Sequence, residues 1–236
     1  ALGLGTFLVV TLALTRTTLV AQIESAGGED RPNLLFFDIQ DDQIGPLKAV
    51  LAAENVPLKA SAPIVTMRIS GLKGRTSAEI LADNTDRLPG WTLRREYRST
   101  YRSELGASEK LVAGTFTGRV DPTAGIVPIS MEVGLAEDMQ LLLGDELEFD
   151  VQGVPIRARV TSLREVEWRR MEPNFFVVFP EGVLEAAPKF HVVATRVSGP
   201  AESGRVQRAV VQAMPGVSAI DLTLILETLD GVFSKI

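Results

Sequence analysis

The side chains that could perform acid–base or nucleophilic chemistry are few in this chain. Its single histidine, His191, lies in the apolar segment K-F-H-V-V-A, and the absence of cysteine excludes a thiolate nucleophile and thiolate metal ligands. Asp41 and Asp42 precede Gln43, and neighbouring carboxylates can serve acid–base catalysis or can begin a helix. We interpret the two aspartates as a helix start and His191 as a strand residue. We therefore predict no catalytic residue, no cofactor site and no metal site.

The motifs that the sequence lacks, together with its charge balance, exclude several classes of function. The chain has no G-x-x-x-x-G-K-[ST] phosphate loop and no G-x-S-x-G nucleophile motif, so we expect neither nucleotide hydrolysis nor a hydrolase of that type. With 24 basic and 30 acidic residues the formal charge is −6, whereas non-specific binding of nucleic acid needs a basic surface. The sequence thus indicates a folded protein that is not an enzyme and does not bind nucleic acid.

An arginine-rich stretch at 94–102 contains four arginines and two interleaved tyrosines, R-R-E-Y-R-S-T-Y-R. It contrasts with an acidic block at 121–156, which has eight acidic residues and no Lys or Arg. We interpret the stretch as a solvated strand that faces this block, and binding of phosphate head groups or of an acidic partner protein stays open as the alternative. The candidate interaction residues in this stretch are Arg95, Tyr97 and Arg98.

Aromatic residues gather at Trp168, Phe175 and Phe176, near the start of an apolar run that follows Pro173 and Asn174. Two interpretations stay open for these rings: packing in the core, or a recognition surface. We expect them to lie near the junction of two subdomains.

Apolar runs and helix-breaking residues predict α/β elements towards both ends of the chain. The first group is a strand at Leu34–Ile39, a helix with Leu47 and Leu51 on its inner face, and a strand at 62–69. The second group has strands at 190–197 and 217–220 with a helix at 201–214 between them. Two βαβ-like pieces therefore flank a middle part of different character, as expected for one α/β subdomain that an insertion interrupts.

The middle part is predicted to be mainly β. Leu147, Phe149 and Val151 alternate with acidic residues, and after the turn at 152–153 apolar residues alternate with arginines. This pattern predicts a hairpin whose outer face carries carboxylates on one strand and guanidinium groups on the other. Before the hairpin, residues 132–143 are expected to form a helix with Leu142 and Leu143 directed inward and Gly144 at its C-cap.

The two ends of the chain are apolar in different ways. Residues 1–15 carry no charge, which is typical of part of a transmembrane helix; a buried helix and a signal-peptide remnant are the alternatives. Residues 222–236 show an apolar stripe at helical spacing. We expect both ends to be places where a longer protein continues.

Several segments, in the same order, resemble a family of bacterial ABC transporter permeases. They are P-N-L-L-F-F-D-I-Q-D-D-Q at 32–43, R-E-Y-R-S-T-Y-R at 95–102, E-K-L-V-A-G-T-F at 109–116, E-V-G-L-A-E-D-M-Q-L-L-L-G-D-E-L-E-F-D at 132–150, S-L-R-E-V-E-W-R-R-M-E-P-N-F-F-V-V-F-P at 162–180 and M-P-G-V-S-A-I-D-L at 214–222. Together they are similar to the YbbP-type permeases of the FtsX-like superfamily, which are related to the MacB and LolC/LolE permeases.

The resemblance implies an α+β fold like that of MacB periplasmic domains. A ferredoxin-like α/β subdomain (βαβ + βαβ) would be formed by 32–73 and 171–221, and 74–170 would be an inserted β-rich subdomain. Residues 1–24 would be the C-terminal part of a transmembrane helix with its periplasmic extension, and 222–236 a helix that leads to the next membrane span.

The resemblance also implies a function, partners and a location. The chain would be the periplasmic domain of a permease subunit in the bacterial inner membrane, and it would couple ATP hydrolysis by a separate cytoplasmic ATPase subunit to export or extraction of a hydrophobic or lipidic substrate. A periplasmic enzyme of lysophospholipase/thioesterase type is a further implied partner. The alternative is a membrane-anchored periplasmic enzyme or envelope assembly protein, in which His191 would be the catalytic base.

Overall fold

The computed structural model describes residues 32–223 except 84, 86, 124, 169 and 171, and this part of the chain is a mixed α/β structure with few helices. The strands are β1 (Leu34–Ile39), β2 (Leu58–Leu72), β3 (Arg75–Thr76), β4 (Tyr97–Tyr101), β5 (Glu109–Gly114), β6 (Val127–Glu132), β7 (Glu146–Val151), β8 (Val154–Val166), β9 (Val177–Phe179), β10 (Phe190–Thr195) and β11 (Ser218–Asp221). The helices are α1 (Ile44–Ala53), α2 (Ser77–Ala82), α3 (Trp91–Arg94), α4 (Val133–Asp138) and α5 (Pro200–Ala213).

Four strands lie side by side in the order β11-β1-β10-β2, and every neighbouring pair is antiparallel. Helix α1 therefore connects β1 to β2 across β10, and α5 connects β10 to β11 across β1. Both helices bury residues one turn apart, Leu47 and Leu51 on α1 and Val206 and Val210 on α5. These side chains share one hydrophobic cluster with the inner face of β1, so the two helices cover the same face of these strands.

Strand β2 is 15 residues long and takes part in two sets of strand pairs. Its first half pairs with β10, and its second half pairs with β4 and β7. From β4 the pairing continues through β9, β6 and β8 to β7, which returns to β2, so six strands form a closed circuit. The largest hydrophobic cluster includes inward residues of all six strands, such as Met67, Ile129 and Phe149. The predicted β-rich middle therefore shares this core with β2 and β9, which lie outside 74–170.

The predicted hairpin of opposite charges is confirmed. β7 and β8 pair with the register Glu146↔Arg159 and Leu147↔Ala158, and Gln152 and Gly153 form the turn with φ of +53° and +96°. The Glu146 carboxylate accepts hydrogen bonds from Arg159 at 2.5 Å and Arg157 at 3.0 Å. Since these groups are exposed, the pairs contribute little to stability but favour this register over a shifted one.

The predicted helix at 132–143 is wrong in its length. Helix α4 ends at Asp138, and Gln140 adopts φ of +52°, which directs Leu141 into the core. The Asp145 carboxylate then accepts a hydrogen bond from the Leu142 amide at 2.8 Å and closes a turn. This turn leaves Leu142 71% exposed and Leu143 43% exposed instead of buried.

The helix predicted to start at Asp41 and Asp42 is present, but neither aspartate caps it. Helix α1 begins at Ile44, and its N-cap Gln43 accepts no capping hydrogen bond through its side chain. The Asp41 side chain instead contacts residues from the other end of the chain.

The expected membrane-associated ends fall almost entirely outside the described residues. Residues 1–24 lie outside them, and so do residues 224–236 of the predicted C-terminal helix. Within the described part of the chain, no helix combines the length and the apolar character that crossing a bilayer would require.

A glycine pair tests the packing of the β-rich part. Gly114 has φ of +76°, and a Cβ there would press into the Thr161 carbonyl oxygen, so we expect Gly114→Ala to lower the free energy of unfolding by at least about 2 kcal/mol. Gly45, in the first turn of α1, has open space around the Cβ position, and Gly45→Ala should be neutral or raise stability by about 0.4–1 kcal/mol. Urea denaturation of both variants measures the difference; equal stabilities would contradict the described backbone at Gly114.

Candidate interaction surface

Three pieces of chain converge beside the β-rich core. The short helix α3 ends at Arg94, because Arg95 turns into an extended conformation with ψ of 155° and leads into β4. The Tyr97 hydroxyl donates a hydrogen bond back to the Thr92 carbonyl oxygen at 2.6 Å, which ties α3 to β4. The third piece is the segment between β8 and β9, which contributes Trp168 and Phe176.

The Arg95 guanidinium lies over three aromatic rings. Its central carbon is 4.8 Å from the ring centre of Phe176, 5.1 Å from that of Tyr97 and 5.4 Å from that of Trp91. Trp168 packs against the same Phe176, with ring centres 4.8 Å apart and planes inclined by 45°. Trp91, Arg95, Tyr97, Phe176 and Trp168 therefore form one continuous group, which we call the Arg95 surface.

The exposure of these rings differs strongly. Tyr97 is buried, and this burial raises the pKa of its hydroxyl, which therefore stays neutral. Phe176 is half-buried against the larger hydrophobic cluster. Trp91 and Trp168, the only tryptophans of the chain, are 43% and 47% exposed. The Arg95 surface is thus anchored in the core by two rings and presents two large rings to solvent.

The partners of Arg95 differ from those of eight other arginines among the described residues. Among the described residues, no carboxylate lies within ion-pair distance of its guanidinium. Eight other arginines do have such a partner: Arg75, Arg102, Arg119, Arg157, Arg159, Arg164, Arg170 and Arg205. Stacking on aromatic faces is the interaction that holds Arg95 in place.

A buried ionic group lies behind this surface. The side chains of Arg164 and Glu109 are fully buried; Arg164 Nη1 is 3.3 Å from Glu109 Oε1, and the same oxygen accepts a hydrogen bond from Arg102 at 2.5 Å. Burial lowers the pKa of Arg164 to about 10, so the group stays charged at neutral pH. Arg164 Nη2 donates a hydrogen bond to the Phe175 carbonyl oxygen at 2.6 Å and so fixes the backbone next to Phe176.

The sequence candidates occupy different places in this arrangement. Arg95, Tyr97, Phe176 and Trp168 lie together in the Arg95 surface. Phe175 is buried in a separate cluster with Ala62 and Ile64 of β2, Val192 of β10 and Val178 of β9. Arg98 is exposed on β4, opposite Thr66 of β2, and takes part in none of the described ring contacts.

Sequence reasoning missed Trp91 and the buried ionic group. Trp91 is isolated in the sequence, and only the fold of α3 brings it to Arg95. Burial of Arg164 could have been predicted from the alternation along β8, in which every second residue from Ala158 to Arg164 is buried.

His191 and Asp41 form the second group of chemical interest. His191 Nε2 is 2.6 Å from Asp41 Oδ1, and Lys189 Nζ is 2.8 Å from Asp41 Oδ2. The hydrogen bond with His191 is the main cause that holds the pKa of the Asp41 carboxyl below its usual value, and the bond with Asp41 raises the pKa of Lys189. Among the described residues, no hydroxyl group forms a hydrogen bond with His191. The three side chains connect the β1–α1 loop to the start of β10.

An open groove of about 590 Å³ lies at the hairpin end of the β-rich part. Its lining is mainly apolar and includes Val127, Val154, Ile156 and Val183, with Arg157 and Glu185 as its charged members. Its size falls in the range of small-molecule sites in proteins.

Comparison with known proteins gives one clear relative. The chain is 28% identical over 228 residues to an uncharacterized ABC transporter permease, YbbP, of Escherichia coli (strain K12), and the alignment covers 96% of this chain and 26% of that protein. The chain therefore spans about a quarter of the length of the curated relative. The resemblance to YbbP-type permeases seen in the sequence is confirmed by this alignment.

Two further comparisons add little. No family model matches the chain. Among solved structures, a permease-protein domain from Porphyromonas gingivalis aligns with a TM-score of 0.34 and 10% identity, covering 79% of this chain and 85% of that one. A likeness of this size carries no argument about function.

The buried ionic group gives a stability prediction. Glu109→Gln removes the carboxylate between two guanidinium groups, one of them fully buried, and we expect a loss of about 3–5 kcal/mol in the free energy of unfolding. The control is Glu165→Gln, an exposed position on β8, for which we expect a change within about 0.5 kcal/mol. Guanidinium chloride denaturation measures both, and a cost below 1 kcal/mol for Glu109→Gln would show that Arg164 does not depend on Glu109, because the nearby charge of Glu132 compensates it.

The Asp41 group gives a pH prediction. Folding lowers the pKa of Asp41 and raises that of Lys189. The interaction between the two groups therefore stabilises the fold from about pH 4 to 10. This stabilisation is lost as the pH falls through the lowered pKa of Asp41, or as it rises through the raised pKa of Lys189. We expect Asp41→Asn to lower the melting temperature in this window, with the difference from wild type shrinking towards pH 3. Thermal scans against pH measure it. Asp42→Asn is the neighbouring control, and equal effects of the two would contradict the specific contact.

Proposed function

We propose that this chain is the periplasmic domain of an ABC permease subunit. In this proposal a separate cytoplasmic ATPase subunit hydrolyses ATP, and the domain engages a hydrophobic or lipidic substrate and moves during its export or extraction. The observation that carries the proposal is the alignment with a permease over 96% of the chain. The bacterial inner membrane, with this segment in the periplasm, is the location that follows.

We further propose that the domain has two lobes, a ferredoxin-like lobe at 32–73 and 171–221 and an inserted β-rich lobe at 74–170. The strand order β11-β1-β10-β2, with each helix crossing one strand, supports a ferredoxin-like arrangement, since this is the split βαβ pattern. Separate hydrophobic clusters support two lobes. Strand β2 pairs with strands of both lobes and would transmit movement of one lobe to the other. Strand β9, from 171–221, also pairs with β4 and β6 of the β-rich circuit.

The groove of about 590 Å³ supports the proposal of an apolar substrate. Its lining is mainly apolar, so bound hydrocarbon would leave few charged groups without a partner. The proposed partners are the ATPase subunit, a periplasmic enzyme of lysophospholipase/thioesterase type, and the lipid or other hydrophobic substrate. The competing hypothesis of a periplasmic enzyme depends on the His191–Asp41 pair, and hydrolysis by the chain that disappears in His191→Ala would favour it.

The location can be tested with a cysteine placed in the complete permease. This chain has no cysteine, so Val154→Cys, at a position that is 60% exposed, gives it one reactive thiol. In spheroplasts of cells whose permease carries no other cysteine, we expect a membrane-impermeant maleimide to label this thiol from outside.

Ser162→Cys is the matched control, because Ser162 is buried and its thiol should react only after unfolding. Labelling of Val154→Cys that requires lysis of the inner membrane would place the domain in the cytoplasm and overturn the proposal.

A further inference from the structure

We propose that the Arg95 surface is a docking site for a partner protein that inserts an acidic side chain, flanked by apolar side chains, between Trp91 and Trp168. This partner is not the transported substrate, and the proposal holds whether or not the domain takes part in transport. It begins from the position of Arg95 over three rings and from the exposure of the two tryptophans beside it.

Among the described residues, Arg95 is held by aromatic rings and not by an ion pair. A guanidinium that aromatic rings hold through its charge can still donate N–H hydrogen bonds to a carboxylate. Arg95 is held by Phe176, Tyr97 and Trp91, and within the described part of the chain no carboxylate pairs with it. Because the side chain is already fixed, binding of an external carboxylate costs little conformational entropy.

The Arg95 surface has the composition of a protein–protein binding site. Trp, Tyr and Arg dominate the binding energy of protein interfaces, where they form a desolvated centre. Here one arginine lies among the only two tryptophans of the chain, each nearly half exposed, and two further rings support it from the core. A partner that covers Trp91 and Trp168 would exclude water from Arg95, which strengthens its pairing with an anion.

The charges around the surface are mixed. Arg94 and Arg98 are exposed and close to Arg95 in the sequence, whereas Glu96 and Glu167 are exposed next to Arg95 and Trp168, so Arg95 itself is the charge that the surface offers to an anion. Asp138 is exposed as well, and its charge reaches Tyr97. Attraction to an anionic membrane usually needs a cluster of about 4–8 basic residues. The surface, on a chain with a formal charge of −6, therefore suits one carboxylate better than a charged bilayer.

The experiment is a selection of displayed random peptides on the full chain, with Arg95→Gln as counter-selection. We expect the peptides enriched by the wild type alone to carry Asp or Glu next to aromatic or aliphatic residues. A synthetic peptide from this set should shift the tryptophan emission saturably, because both tryptophans of the chain lie in the site. Replacing its acidic residue by the amide should weaken binding at least about tenfold, as should Arg95→Gln and Trp168→Ala in the chain.

Arg208→Gln is the matched control, since it removes the same charge from an exposed position on α5, and it should bind like the wild type. Arg95→Lys should also bind poorly, because an ammonium group lacks the planar face. Melting curves of all variants show whether a loss of binding reflects unfolding; Trp168→Ala, which removes an exposed ring, keeps the test valid if Arg95 variants unfold.

Two results would overturn the proposal. One is an absence of peptides specific for the wild type, or enriched peptides without an acidic residue. The other is binding of phosphatidylglycerol/phosphatidylcholine vesicles that Arg95→Gln abolishes, without any peptide binding, which would identify a membrane as the partner. Neither result bears on the cysteine-labelling test of location, so the two proposals fail independently.

Discussion

The buried pair of Arg164 and Glu109 is the interaction on which the described surface depends. Burying an arginine is costly unless a carboxylate and hydrogen-bond acceptors lie beside it. Of the buried Arg164 nitrogens, Nε and Nη1 have no hydrogen-bond partner among the described residues. Glu109 of β5 supplies the carboxylate, and the Phe175 carbonyl supplies an acceptor. The pair therefore joins β8 to β5, a strand well separated from it in the sequence, and to the segment between β8 and β9.

This constraint determines where the aromatic side chains lie. With its carbonyl held by Arg164, Phe175 packs into the cluster shared by β2, β9 and β10, and Arg102 lies 5.9 Å from its ring. The next residue, Phe176, faces Arg95 and Trp168 instead. Strand β4 contributes to both sides, because Arg95 lies just before it and Arg102 just after it. One short strand thus connects a buried charge network with an exposed stack of rings.

Local patterns predicted much of this fold, and long-range pairing accounts for what they missed. Strand β1 and the β7–β8 hairpin were predictable because alternation and turn residues act over a few positions. The contact of Asp41 with His191 joins residues 150 positions apart, and no local pattern encodes it. Helix α4 is shorter than its apolar spacing indicated, because Asp145 closes a turn that removes Leu142 and Leu143 from the helix.

The candidate site was predictable in its residues but not in its geometry. Arg95, Tyr97, Phe176 and Trp168 stood out by type, yet the same types fit a core, a solvated strand or a binding surface. What separates these cases is whether each charge finds a partner inside the protein. Arg164 finds one and is buried, whereas Arg95 finds only aromatic faces among the described residues and stays at the surface. Arg95 is held in place but has no carboxylate partner among the described residues, so it can pair with an anion from outside. The exposed tryptophans beside it supply the apolar contact that such a pair needs.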